Sequence, residues 1–145
     1  MKELFDVLEE YLTKMIQHYA TKIKAIVIGG SALESEDINR PLFVVVVIEG
    51  VKRISFLARQ EIIEYFIKKL ESEKVYSNYV ISTGHRPLIY SILVDPLELE
   101  YHIPIISYVI SKGRVIIGDI QEKKFDYLGT VLKMGEVNKG DVVDL

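Results

Sequence analysis

Cysteine is absent from this 145-residue sequence. A disulfide frame, a thiol nucleophile and a thiolate-held metal are thereby excluded, and the sequence is compatible with a reducing cytoplasm. A marked excess of one charge is also missing. Against 18 Lys and Arg stand 21 Asp and Glu, for a net charge of -3, and Lys52-Arg53, Lys68-Lys69 and Lys123-Lys124 are no more than isolated pairs. Binding to nucleic acid by phosphate neutralisation is therefore not expected. The longest apolar run, Pro41 to Ile48, is too short to cross a bilayer as a helix. Met1 to Asp6 is acidic and amphipathic, so no signal peptide is read there, and no membrane partner is expected. His18, His85 and His102 lack metal-ligand spacing, and no Gly-x-Ser-x-Gly elbow accompanies Ser31.

Hydrophobic residues make up 49% and charged residues 27%, a balance that supports a packed core rather than disorder. One domain is expected over residues 1–134, with 135–145 as a mobile tail after Gly135. Scarce Asn and Gln beside abundant Ile, Val, Lys and Glu lean towards a thermophile's composition. Leu4, Leu8, Tyr11, Leu12, Met15, Ile16 and Tyr19 recur at helical spacing and predict an amphipathic helix to about residue 20. Lys24 to Gly29 reads as a buried strand ending in Gly29-Gly30. Ser31-Ala32-Leu33-Glu34 has capping-box spacing, so a short helix should start with Ser31 as its cap.

Leu42 to Ile48 is apolar at every position and rich in β-branched residues, as in a central strand covered on both faces. A second long helix is predicted over 55–72, its apolar face carrying Phe56, Ile63, Phe66, Ile67 and Leu70. Val75 to Ser82 and Leu88 to Val94 read as two strands joined in a hairpin through Thr83 to Pro87. A helix from Ile103 to Ser111 should stop at Gly113, followed by a short edge strand, Arg114 to Ile117. Asp119 and Glu122 would cap a last helix bearing Phe125, Leu128 and Leu132. The fold class is thus α/β in the broad α+β sense: a mixed sheet, made so by the hairpin, with helices packed on it.

A strand ending in Gly-Gly-Ser, a short helix, a buried strand, a long helix and a further strand resemble, in that order, the minimal nucleotidyltransferase family. Leu88-Ile-Tyr-Ser-Ile-Leu-Val-Asp95-Pro-Leu-Glu-Leu99 and Ile110-Ser-Lys-Gly-Arg-Val-Ile-Ile-Gly118 resemble the end of that fold. The resemblance spans roughly residues 20 to 118. It implies a nucleotidyltransferase-like fold whose active members hold Mg²⁺ with an Asp-x-Asp pair on the second strand and an acid on a later one. Counted from Ser31, the pair falls on Pro41 and Phe43 or on Leu42 and Val44, and the later acid on Tyr90 or Ser91. None of these is a carboxylate. The resemblance therefore implies a degenerate member with no catalytic residues, no metal and no cofactor, serving as a binding or regulatory module. By analogy with small prokaryotic members it would take a helical toxin-like protein partner, or a second copy of itself as a homodimer. The five tyrosines at 76, 79, 90, 101 and 108 suit an interface or core edge better than base stacking.

Gly29, Gly30 and Ser31 are the candidates for cradling a phosphate or nucleotide, since a glycine-flanked helix start offers unpaired N–H groups. The same residues would equally serve a tight turn and a cap. Glu34, Glu36, Asp37 and Asp95 are the acids that could replace the missing ligands, and under that alternative the chain is an active nucleotidyltransferase using Mg²⁺. As solvated loop acids and a turn Asp before proline they also have an ordinary structural reading.

Overall fold

Four strands in the order β3-β2-β1-β4 form the sheet of this protein, seen in a computed structural model that describes residues 2–118. The first helix, α1, spans Lys2–Tyr19 and buries Leu4, Val7, Leu8, Tyr11, Leu12 and Met15 on one stripe. β1 (Ile23–Gly29) follows, then the five-residue α2 (Ser31–Ser35) and β2 (Leu42–Ile48). β1 and β2 pair antiparallel, with Gly29 opposite Phe43 and Ile28 opposite Val44.

α3 (Phe56–Glu71) starts at Ser55, whose hydroxyl accepts from the Ala58 amide. Its buried stripe is Arg59, Ile63, Phe66 and Leu70. Phe56, expected on that stripe, is instead 53% exposed and lies under the Arg59 guanidinium, 4.1 Å from ring centroid to Cζ. Residues 75–82, expected as a strand, form a helix: α4 spans Lys74–Thr83. Its β-branched and aromatic residues favour a strand by propensity, but Tyr76, Tyr79 and Thr83 recur at helical spacing and bury Tyr79 in the core shared with α1 and α3. Gly84, at φ 84°, closes the helix in the left-handed region that glycine tolerates best.

The hairpin is accordingly absent. β3 (Ile89–Val94) instead lies parallel to β2, with Phe43 beside Tyr90 and Val44 beside Ser91. α3 and α4 together make the crossover that a parallel pair requires. The sheet is mixed because β1 runs antiparallel to both β2 and β4 while β2 and β3 are parallel. After β3, a 3-10 turn over Pro96–Tyr101 leads to α5 (Pro104–Lys112) and to β4 (Arg114–Gly118), which pairs with β1 at the sheet edge. The last helix expected after Asp119 and the tail 135–145 lie outside the described residues.

Two apolar layers sandwich the sheet. Ile26, Ile28, Val44, Val46 and Leu93 face α1, α3 and α4, and Val27, Val45, Val47 and Val94 face α5 through Ile106, Val109 and Ile110. β2 is thus covered on both sides, as its unbroken apolar sequence predicts. No helix among the described residues is long and apolar enough to cross a membrane.

Candidate functional site

The strand ends where chemistry was expected form a row across the sheet: Gly29 of β1, Phe43 of β2 and Tyr90 of β3 are neighbours in register. The two aromatic rings lie 5.9 Å apart between centroids at 38°, and Tyr90 is 51% exposed. These are positions at which the resemblance calls for metal-binding carboxylates, and they touch one another. Neither ring offers the hard oxygen ligands Mg²⁺ demands. Val44 and Ser91 face the opposite layer, where the Ser91 hydroxyl is engaged with Tyr11 Oη at 2.7 Å. The residues present do not fit a two-metal centre. Among the described residues, no group of three or more His, Asp or Glu could hold a metal ion.

Gly29, Gly30 and Ser31 meet beside this row. Gly30 adopts φ 110°, and a Cβ placed there would come 2.8 Å from the Pro41 carbonyl oxygen and 3.0 Å from the Phe43 ring. Its glycine identity therefore has a steric cause independent of any ligand. Gly30 is the residue that caps α2, with no side-chain cap bond, so the capping box expected from Ser31 and Glu34 does not form. Ser31 is the first helical residue, and its carbonyl accepts from the Ser35 hydroxyl. The Ala32 amide donates to Pro41 O at 3.0 Å, while Leu33 and Glu34 amides return to Gly30 O. The amides of Ala32, Leu33 and Glu34, in the first turn of α2, are thus already bonded.

The four candidate acids do not converge. Glu34 accepts from the Tyr108 hydroxyl of α5, and this hydrogen bond, with burial, pushes the Tyr108 pKa up to about 12. Glu36 is the left-handed residue ending α2, at φ 56°. Asp37 accepts from the Asn39 amide at 2.9 Å and lies 3.6 Å from Arg40 Nε. Asp95 stands at the far end of the sheet, beyond Val94, which pairs with Val47, four register steps from Phe43 and Tyr90. That separation is about 13 Å of strand.

Asp95 is 4% exposed and does structural work. Its carboxylate accepts from Gly50 N at 2.8 Å, Leu97 N at 3.0 Å and Lys52 N at 3.3 Å. Burial opposes its ionisation, but the three amides outweigh burial and its pKa is lowered. Glu98 completes a capping box by accepting from Asp95 N. It also holds Arg59 in a bidentate pair, 2.8 Å to Nη1 and 2.7 Å to Nη2. Burial again opposes the charge on Glu98, and Arg59 with the Asp95 amide lowers its pKa nonetheless. Arg59 and Glu98 were not singled out from the sequence. Both left a trace in it: Arg59 interrupts the apolar stripe of α3, and Asp95-Pro-Leu-Glu98 has capping-box spacing.

A cavity lies elsewhere, against β3 on the α3 side of the sheet. It measures about 470 Å³ and is lined by Ile63, Ile67, Tyr76, Leu88 and Ile89, with Lys68 and Arg86 among its charged groups. It is within the size range of ligand sites. No protein-family model, curated protein or solved structure matches the chain.

Proposed function

We propose that this domain is a non-catalytic binding module on a nucleotidyltransferase-like scaffold, working through a protein partner or a second copy of itself. The observation that carries the reading is the aromatic contact of Phe43 with Tyr90 in the row that would need carboxylates. An aliphatic or aromatic side chain there removes the metal that activates the attacking hydroxyl and neutralises the triphosphate. The candidate substitutes are separated or committed to turns and to Tyr108.

The test is a thermal-shift series with ATP, GTP, CTP and UTP, each with and without Mg²⁺, paired with an assay for transfer of labelled nucleotide. A ligand that binds only the folded state raises the melting temperature by mass action. The expected result is no Mg²⁺-dependent shift and no transfer. A Mg²⁺-dependent shift abolished by Glu36→Ala with Asp37→Ala would overturn the reading in favour of an enzyme with substitute ligands.

A further inference from the structure

Gly118, Ala25, Val47 and Val94 form one row across all four strands of the sheet. β4 runs towards that row, so the chain after Gly118 leaves the sheet at the end where Asp95 follows β3 and where Glu49 and Gly50 follow β2. Gly118 adopts φ 86°, and a Cβ there would collide with the Lys24 carbonyl. The strand direction is therefore broken at Gly118, with the backbone held close against β1.

The same end of the sheet carries an apolar surface. Phe56, Leu57, Leu97 and Tyr101 are each more than half exposed. One guanidinium gathers them: Arg59 lies over the Phe56 ring and donates to Glu98, which sits beside Leu97 on the 3-10 turn that Tyr101 ends. Arg59 also donates to Leu93 O at 3.1 Å, which fixes the group to the end of β3. Apolar residues exposed singly are ordinary, whereas a grouped set marks a surface that something covers.

The sequence that follows Gly118 offers an occupant. Phe125, Leu128 and Leu132 are spaced as one helical stripe, with Asp119 ahead of them as a helix cap. The reach also fits. A helix starting at Asp119 carries Leu128 about 15 Å from Gly118, and three inter-strand steps, about 14 Å, separate β4 from β3. Gly129 disfavours this helix in isolation, so its order depends on a surface to pack against.

We infer that residues 119–134 dock on this surface as an amphipathic helix, with Phe125, Leu128 and Leu132 against Phe56, Leu57 and Leu97. The docked helix shields the Arg59–Glu98 pair from water. A second copy of the chain has similar apolar residues, but the chain's own segment starts at this end of the sheet and is held there at high effective concentration.

The experiment is amide hydrogen exchange on the full chain, read by mass spectrometry for the wild type and two double variants. Amides of residues 123–132 should exchange at least about tenfold more slowly than an unstructured chain, since packed elements open rarely. Phe125→Asp with Leu128→Asp should abolish that protection and speed exchange around Ile54 to Leu57 several-fold. Leu57→Asp with Leu97→Asp alters two exposed side chains, so protection of α1 and β2 should persist while that of residues 123–132 is lost. Retained protection in α1 and β2 separates lost docking from lost folding. Unprotected amides at 123–132 in the wild type, or protection there that survives the surface variant, overturns the proposal. Protection that fades on dilution together with a dimer in light scattering overturns it in favour of a second copy on this surface.

Discussion

Replacing Arg59 with Met keeps the length and apolar body of the side chain while removing a guanidinium that is 3% exposed. Four hydrogen bonds go with it: two to Glu98, one to Leu93 O and one to Ile54 O, at 2.7 to 3.1 Å. The larger loss is what remains, a Glu98 carboxylate that is 8% exposed and has lost its cation. Breaking a buried ion pair on one side costs about 3–5 kcal/mol. The cation–π contact with half-exposed Phe56 adds only about 0.5 kcal/mol. Against a total stability of about 5–15 kcal/mol, Arg59→Met should remove about a fifth or more, and lower Tm by roughly 8–16 °C for a chain of this size. Urea unfolding followed by far-ultraviolet circular dichroism measures the difference directly. The companion variant, Arg59→Met with Glu98→Leu, removes both charges. It should recover about 1–2 kcal/mol of the single variant's loss, the remainder reflecting the Asp95 amide left without its acceptor. A single-variant cost below about 1 kcal/mol, or a double variant no better than the single one, would refute the view that an unpaired buried carboxylate dominates.

Phe43→Asp with Tyr90→Asp places two acids on neighbouring positions of adjacent strands; millimolar Mg²⁺ should raise the melting temperature of this variant and leave the wild type unchanged. Gly30→Ala should destabilise by about 1–3 kcal/mol in chemical denaturation, because the backbone sits at φ 110° and the added carbon meets the Pro41 carbonyl. Tyr11 is fully buried and its pKa is pushed up to about 12 by burial, against the Ser91 hydrogen bond. A raised folded-state pKa means stability that is complete below the ordinary tyrosine value of about 10 and lost as pH rises towards about 12. Alkaline titration of the melting temperature should show that decline, and Tyr11→Phe should flatten it. Asp95 and Glu98 have lowered values, so their contribution is complete above about pH 5 and fades as pH falls through and below the ordinary carboxylate range near 4; Asp95→Asn should make the acid-side melting profile shallower.

Much of the architecture was legible because periodicity records burial. α1, β2, α3 and α5 fall where the spacing of apolar residues puts them, since each buries one stripe or both faces against the sheet. The stretch 75–82 was misread because Val, Tyr and Ile favour strands in isolation, while its burial pattern follows a helix packed on α1 and α3. The cap of α2 was misassigned because Ser31 and Glu34 have the spacing of a capping box, yet Gly30 takes the cap position where the chain turns against Pro41 and Phe43. The candidate acids were legible as residues and not as a group, because convergence depends on register. Asp95 and Asp37 lie at opposite ends of a sheet whose strand pairing no local pattern specifies.

By itself the sequence determined the composition of the core, the order of most elements and the lack of carboxylates where the resemblance would put a metal. It could do so because residue identity and spacing are local properties of the chain. The tertiary structure alone decided that β3 is parallel to β2, that Phe43 touches Tyr90, and that Arg59 finds Glu98 across 39 positions. It also decided that β3 stands at the sheet edge, beside a cavity. Each is a contact between segments distant in sequence, fixed by how the layers bury their apolar faces together, and so has no signature within any one segment.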